Sequence, residues 1–215
     1  MSLSAQPFAA ADLVRRIAIV GNAPGGDDLS GPIDAADRVV RFNNAFGFGT
    51  TRGERIDDLY LVNAGGQPRE WLETPAFWQR PVLRHTPHVT LPIPVEDAPP
   101  QDVDPDGRNF GPELRDRLTA VGKRVEILGE AHRTRAVSEL MRFGARADVT
   151  PSTGFLATVL YRARAPEGAV IELFGFGFEG WPGHDWAAER RWVQAAARAG
   201  RLIWHAPSGS GGTGG

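Results

Sequence analysis

Short apolar runs bounded by Gly, Asn and Asp recur along this chain, and they limit its fold more than any other feature. "RIAIVGN" carries an apolar run from Ile17 to Val20 that stops at Gly21 and Asn22. "RVVRFNN" repeats the pattern and stops at Asn43 and Asn44, "DDLYLVN" stops at Asn63, and "AVIELFGFG" and "RLIWH" follow near the end. Runs this short and this rich in Val and Ile, with no polar alternation, suit strands buried on both faces. Helical spacing fills the intervals, over 111–121, over 130–143 with Ala136, Leu140 and Phe143 in phase, from the "PSTG" stretch to about Ala165, and over 185–199. A short helix is also expected over Ala9 to Arg15. Strands alternating with helices predict an α/β fold, a Rossmann-like three-layer sandwich with a mainly parallel sheet. With 215 residues the chain suffices for one such domain. Its expected extent is 1–207, with a flexible Gly/Ser tail over 208–215, and the Pro-rich acidic stretch 92–108 is expected to be a surface loop.

Composition removes several functions. The chain has no cysteine, so disulfides, thiolate catalysis and Cys-ligated zinc are excluded. A net charge of −2 gives no basic field for nucleic acid. No apolar run approaches the roughly 18 residues of a membrane span, and the N-terminus lacks a secretory apolar core, so a cytoplasmic protein is expected.

The chemistry concentrates at predicted strand ends. "VGNAPGG" places a Gly-rich turn after the first strand, but it matches neither GxGxxG nor the P-loop pattern. The second strand ends on Arg41, Phe42, Asn43 and Asn44, with no acid for a ribose; only Arg41 speaks for NADP. Asn22 and Asn43 therefore reach the carboxyl edge of a parallel sheet, either as ligand-binding amides or as turn caps. Pro151, Ser152, Thr153 and Gly154 open a helix, either as a routine cap or as a set of amides kept for an anion. His184 stands before a helix capped by Asp185, with Trp186, Val193 and Ala197 expected on its buried face. An imidazole there suits a general base as well as a surface position. Glu189 lies five residues on, about 140° round the helix, and is expected to hold that corner through backbone amides or an arginine. His85 and His88 form HxxH in a strand-like stretch, a poor metal site, and His132 and His205 have no evident partner.

Together these stretches resemble the sialyltransferase family (glycosyltransferase family 29). Residues 17–55 look like its large motif, with VGN at 20–22, G-x-I-D at 31–34, Asp37 and R-x-N-x-A at 41–45. Residues 151–177 look like its small motif, running from PSTG to GFG, and His184 with Glu189 matches the very small motif. The resemblance implies metal-independent, inverting transfer of an acidic sugar, of sialic acid or Kdo type, from a CMP-activated donor to a glycan hydroxyl. It implies no cofactor beyond that donor. By resemblance, His184 is the catalytic base and Gly21, Asn22, Asn43, Ser152, Thr153, Gly154 and Gly175 bind the donor nucleotide, with Arg41 and Glu189 in support. The departures are the missing disulfide between large and small motifs and the lack of a separate His-Tyr motif between Gly177 and His184. A nucleotide-binding protein without transferase activity stands as the alternative, whether a degenerate member, a CMP-sugar hydrolase or an NADP oxidoreductase.

Overall fold

The apolar runs pair side by side, each in the same direction. The structure is a computed structural model that describes residues 14–95 and 108–206. Its strands are β1 (Arg16–Val20), β2 (Arg38–Phe42), β3 (Asp58–Tyr60), β4 (His88–Leu91), β5 (Arg124–Ile127), β6 (Val170–Phe174) and β7 (Ile203–His205). They form one seven-stranded sheet in the order β5-β4-β3-β2-β1-β6-β7. Every neighbouring pair is parallel, with Ile17 opposite Arg38 on β2 and Ile171 on β6. The fold is thus α/β, Rossmann-like and three-layered.

The helices are α1 (Ser30–Asp34), α2 (Gly66–Glu73), α3 (Pro75–Trp78), α4 (Pro81–His85), α5 (Gly111–Ala120), α6 (Glu130–Met141), α7 (Thr153–Arg164) and α8 (Trp186–Arg198). Side chains alternate along each strand, so each strand feeds both faces. Ile17, Ile19, Val40 and Leu173 pack with Leu140, Leu156 and Val193 of α6, α7 and α8. On the other face, Ala18, Val20 and Val39 cover Ile33 of α1, while Leu59 and Val89 pack with Trp71, Phe77, Leu83 and Leu114 from the α2–α5 run. α7 is buried at every position from Phe155 to Tyr161, as expected of a helix that is apolar all round. Burying an aromatic or aliphatic side chain there stabilises the fold by roughly 1.5–3 kcal/mol each.

Several expectations need correction. Residues 14 and 15 are not helical, while 1–13, the loop segment 96–107 and the tail from 207 onward lie outside the described residues. β3 stops at Tyr60, not Asn63, because β2 turns away at Asn43 (φ 49°) and the Asn43 side chain accepts the Val62 amide at 2.9 Å. His85 and His88 do not share a strand: His85 closes α4, which starts on Pro81 as helices tolerate, and His88 opens β4. His88 Nδ1 lies 3.1 Å from Asp58, and His205 Nε2 lies 2.9 Å from Glu172, so both have partners. The buried stripe of α8 is Ala188, Glu189, Trp192, Val193 and Ala196; Trp186 and Ala197 are only half-buried.

The strand order makes a crevice. From β1 the chain steps outward through β2 to β5, then returns to the other side of β1 with β6 and β7. The loops after β1 and β6 leave in opposite directions, and ligands of open α/β sheets bind at such switch points. Two glycines meet there. The Gly21 amide donates to Phe174 at 2.7 Å and the Ala23 amide to Gly175 at 3.0 Å. A Cβ on Gly21 would stand 2.4 Å from the Gly175 carbonyl oxygen, and one on Gly175, at φ 64°, would stand 2.7 Å from that of Gly21. Alanine at either position should lower stability by roughly 1–3 kcal/mol, since backbone cannot give way as a side chain can. Gly26→Ala, with nothing within 4 Å of its added carbon, should be neutral. Urea midpoints for the three variants test this; equal midpoints would remove the close approach as a constraint.

Candidate functional site

At this switch point lies a crevice of about 270 Å³. Gly21 and Asn22 reach it from the end of β1, and Phe42 and Asn43 from the end of β2. Ser152, Thr153 and Gly154 reach it from the start of α7, and Gly175 through Glu179 from the loop after β6. His184, Trp186 and Glu189 complete it from the entry to α8. All the residues expected at a site are brought together except Arg41.

Arg41 is fully buried on the opposite face from Phe42. Its guanidinium donates to the carbonyls of Arg52 at 2.6 Å, Gly53 at 3.2 Å and Arg55 at 2.9 Å. Arg41 thus folds the 52–55 loop onto the sheet and does not face the crevice. The NADP alternative loses its one basic residue.

Two of the expected ligand groups also hold backbone. The Asn22 Nδ2 donates to the Phe42 carbonyl and its Oδ1 accepts the Phe46 amide, each at 3.0 Å, so this side chain fastens the end of β1 to the turn after β2. Asn43 uses its Oδ1 on Val62, and the residue lines the crevice. Asparagine tolerates the left-handed backbone that Asn43 adopts.

Of the two readings of the PSTG stretch, the structure shows the cap. Ser152 is the N-cap of α7, its Oγ accepting the Phe155 amide at 3.1 Å. Its own amide and hydroxyl both donate to the Glu189 carboxylate, at 2.7 Å each. Ser152 is therefore occupied, as cap and as clamp. Thr153 and Gly154 are the first residues of α7, whose amides have no acceptor within the helix. These two residues line the crevice at the positive end of the helix dipole, and their amides have no partner within α7.

Glu189 is 2% exposed, and burial pushes its pKa up to about 7, against the two Ser152 hydrogen bonds that favour its ionised form; nearby Asp185 adds to the rise. His184 is shifted the other way. Burial lowers its pKa below the ordinary histidine value, opposed by its hydrogen bond to Thr150. Nδ1 lies 2.7 Å from the Thr150 carbonyl, which can only accept, so Nδ1 carries the proton. The neutral ring then presents Nε2 as a base. Trp181 and Trp186 set their rings nearly perpendicular to the imidazole, with centroids at 4.9 and 4.8 Å. Glu189 takes the amide and the hydroxyl of Ser152, so it ties the start of α8 to the start of α7.

Sequence reasoning missed Phe176, Phe178, Glu179 and Trp186 as crevice residues. The GFGF run after β6 was a usable signal, since it continues a strand end already marked as a site. Trp186 was hidden by its helical phase, which assigned it to the core. Among the described residues, no group of three or more His, Cys, Asp or Glu is placed to hold a metal ion. No described helix is long and apolar enough to cross a membrane.

No family model matches the chain. It is 34% identical over 201 residues to the urease operon 23 kDa accessory protein of Rhizobium meliloti (strain 1021), covering 87% of this chain and 91% of the relative. Its fold is similar to that of a mammalian sialyltransferase seen in a crystal structure. The TM-score is 0.56 at 18% identity, over 90% of this chain and 70% of the other. At that identity the likeness is one of fold.

Glu189 yields a pH prediction. Its folded pKa lies above its unfolded one, so the folded chain binds the extra proton, and the stability tied to Glu189 is full below pH 4.5 and lost as pH rises to about 7. At roughly 1.4 kcal/mol per unit the loss is at most about 3–4 kcal/mol. Relative to the parent, Glu189→Gln should therefore gain stability steadily across that window in urea titrations. A stability difference independent of pH would show that Glu189 ionises normally.

Proposed function

This chain belongs to the family of the urease operon 23 kDa accessory protein, and we propose that it is a glycosyltransferase acting in the cytoplasm. In this reading it moves an acidic sugar, of sialic acid or Kdo type, from a CMP-activated donor to a glycan hydroxyl. One observation carries the reading: the unspent amides of a helix N-terminus and a neutral histidine with an open Nε2 face the same crevice.

The donor's single phosphate sits against the Thr153 and Gly154 amides, where α7 presents roughly half a positive charge. Gly21 and Gly175 let the nucleotide approach the backbone, and the Asn43 Nδ2 donates to it. The acceptor hydroxyl lies against His184. His184 Nε2 takes the hydroxyl proton, the oxygen attacks the anomeric carbon, and the bond from that carbon to the phosphate oxygen breaks on the opposite face. The anomeric configuration inverts, the electron pair leaves on CMP, and the α7 amides stabilise its growing charge without a divalent cation. The Thr150 carbonyl orients the ring and favours the imidazolium that forms. That proton then passes to water.

A second reading has its own observation, the printed role of the relative. Here the chain serves a urease system as an accessory protein, and the crevice binds a nucleotide or its sugar without transfer.

Calorimetric titration of CMP, UDP and NADP in the presence of EDTA separates the readings. CMP should bind without metal and in preference to the other two. His184→Ala should keep CMP affinity but lose ~10²–10⁴-fold in CMP-sugar turnover, the usual contribution of a positioned base. Absence of CMP binding, or a strict need for magnesium or manganese, would overturn the transferase reading. Raised activity of a co-produced urease by a protein that turns over no CMP-sugar would establish the second.

A further inference from the structure

Trp181 is 59% exposed, an unusual position for the largest apolar side chain. It is not loosely held. A Cβ on Gly183 would stand 2.0 Å from the Trp181 ring, so the ring lies directly over the bare backbone of that glycine. Its carbonyl accepts the Trp186 indole N–H at 3.0 Å and the His184 amide at 3.3 Å. Its ring touches the imidazole, with centroids 4.9 Å apart. The loop that presents it carries left-handed backbone at Phe178 (φ 56°) and φ 136° at Gly180. Gly183 and this strained loop thus hold an indole, still mostly open to water, beside the candidate base.

The crevice, at about 270 Å³, lies at or below the small end of ordinary ligand pockets, which start near ~300 Å³. His184 lines the crevice, whereas Trp181, in contact with His184, stands outside its wall. A sugar whose hydroxyl reaches His184 at the crevice has the rest of its ring left for the neighbouring surface, where Trp181 stands.

We infer that Trp181 is the platform of an acceptor subsite, on which a pyranose ring stacks by its C–H face and so brings a hydroxyl to His184. The inference rests on the transferase reading for the hydroxyl's fate, but not for the binding itself. Aromatic faces bury large apolar area at fixed geometry, and an uncharged sugar ring offers a matching flat apolar face. The occupant is therefore a neutral glycoside. Nothing in the ring's contacts selects a charged group.

The test uses the whole chain, with and without CMP, and methyl β-glycosides of galactose, glucose and N-acetylglucosamine as probes, read by saturation-transfer NMR. At least one glycoside should receive saturation on its ring protons, and glycerol should not. Trp181→Ala should weaken that binding by about fivefold, the order of one aromatic contact. Trp181→Phe should keep most of it, and both variants should bind CMP as the parent does, which shows that the His184 corner is intact. Binding of no glycoside by the parent, or equal binding by Trp181→Ala, would overturn the inference. A parent that binds glycosides at Trp181 but no CMP keeps the inference and defeats the transferase reading instead.

Discussion

The contact of Gly21 with Gly175 is the constraint on which the rest of the structure depends. β1 and β6 are far apart in the chain, and their carboxyl ends meet through backbone alone. Because neither residue carries a Cβ, the two strands stay paired up to the point where their loops diverge. That divergence opens the crevice. It also places the start of α7, which leads into β6, and the start of α8, which follows it, on the same edge as the asparagines of β1 and β2. A bulkier pair would splay the strands and separate these groups.

A second tie sets the electrostatics. The Glu189 carboxylate takes both the amide and the hydroxyl of Ser152, joining the first turn of α8 to the first turn of α7. Burial keeps this carboxyl partly protonated near neutral pH. An anion at the adjacent Thr153 and Gly154 amides therefore meets less than a full opposing charge, and itself favours the protonated carboxyl. The histidine is tuned in the other sense by the same physical cause, since burial disfavours the charged form of each.

Much of the fold was legible in the sequence because its signals are local. "IAIV", "RVVRF" and "VIELF" mark buried parallel strands by their lack of alternation. Ser152 and Asp185 mark helix starts, and each caps the helix predicted for it. Two errors came from the same source. Leu61 and Val62 look like strand and point to an end at Asn63, but the ladder fails where β2 turns away. His85 and His88 were read together because spacing alone does not show that a helix ends between them.

The sequence by itself determined the elements, their caps and the edge of the sheet at which polar residues collect, because periodicity and capping act over a few residues. Only the tertiary structure decided which polar groups remain for a ligand. Arg41 sits two residues from Asn43, yet its Nε and Nη2 go to carbonyls of the 52–55 loop on the opposite face. Ser152 begins the most suggestive stretch of the chain, yet its donors go to a residue 37 positions away, and the unspent amides are those of its two neighbours. A hydrogen-bonding group is available only if no distant partner has taken it, and distant partners are chosen by packing.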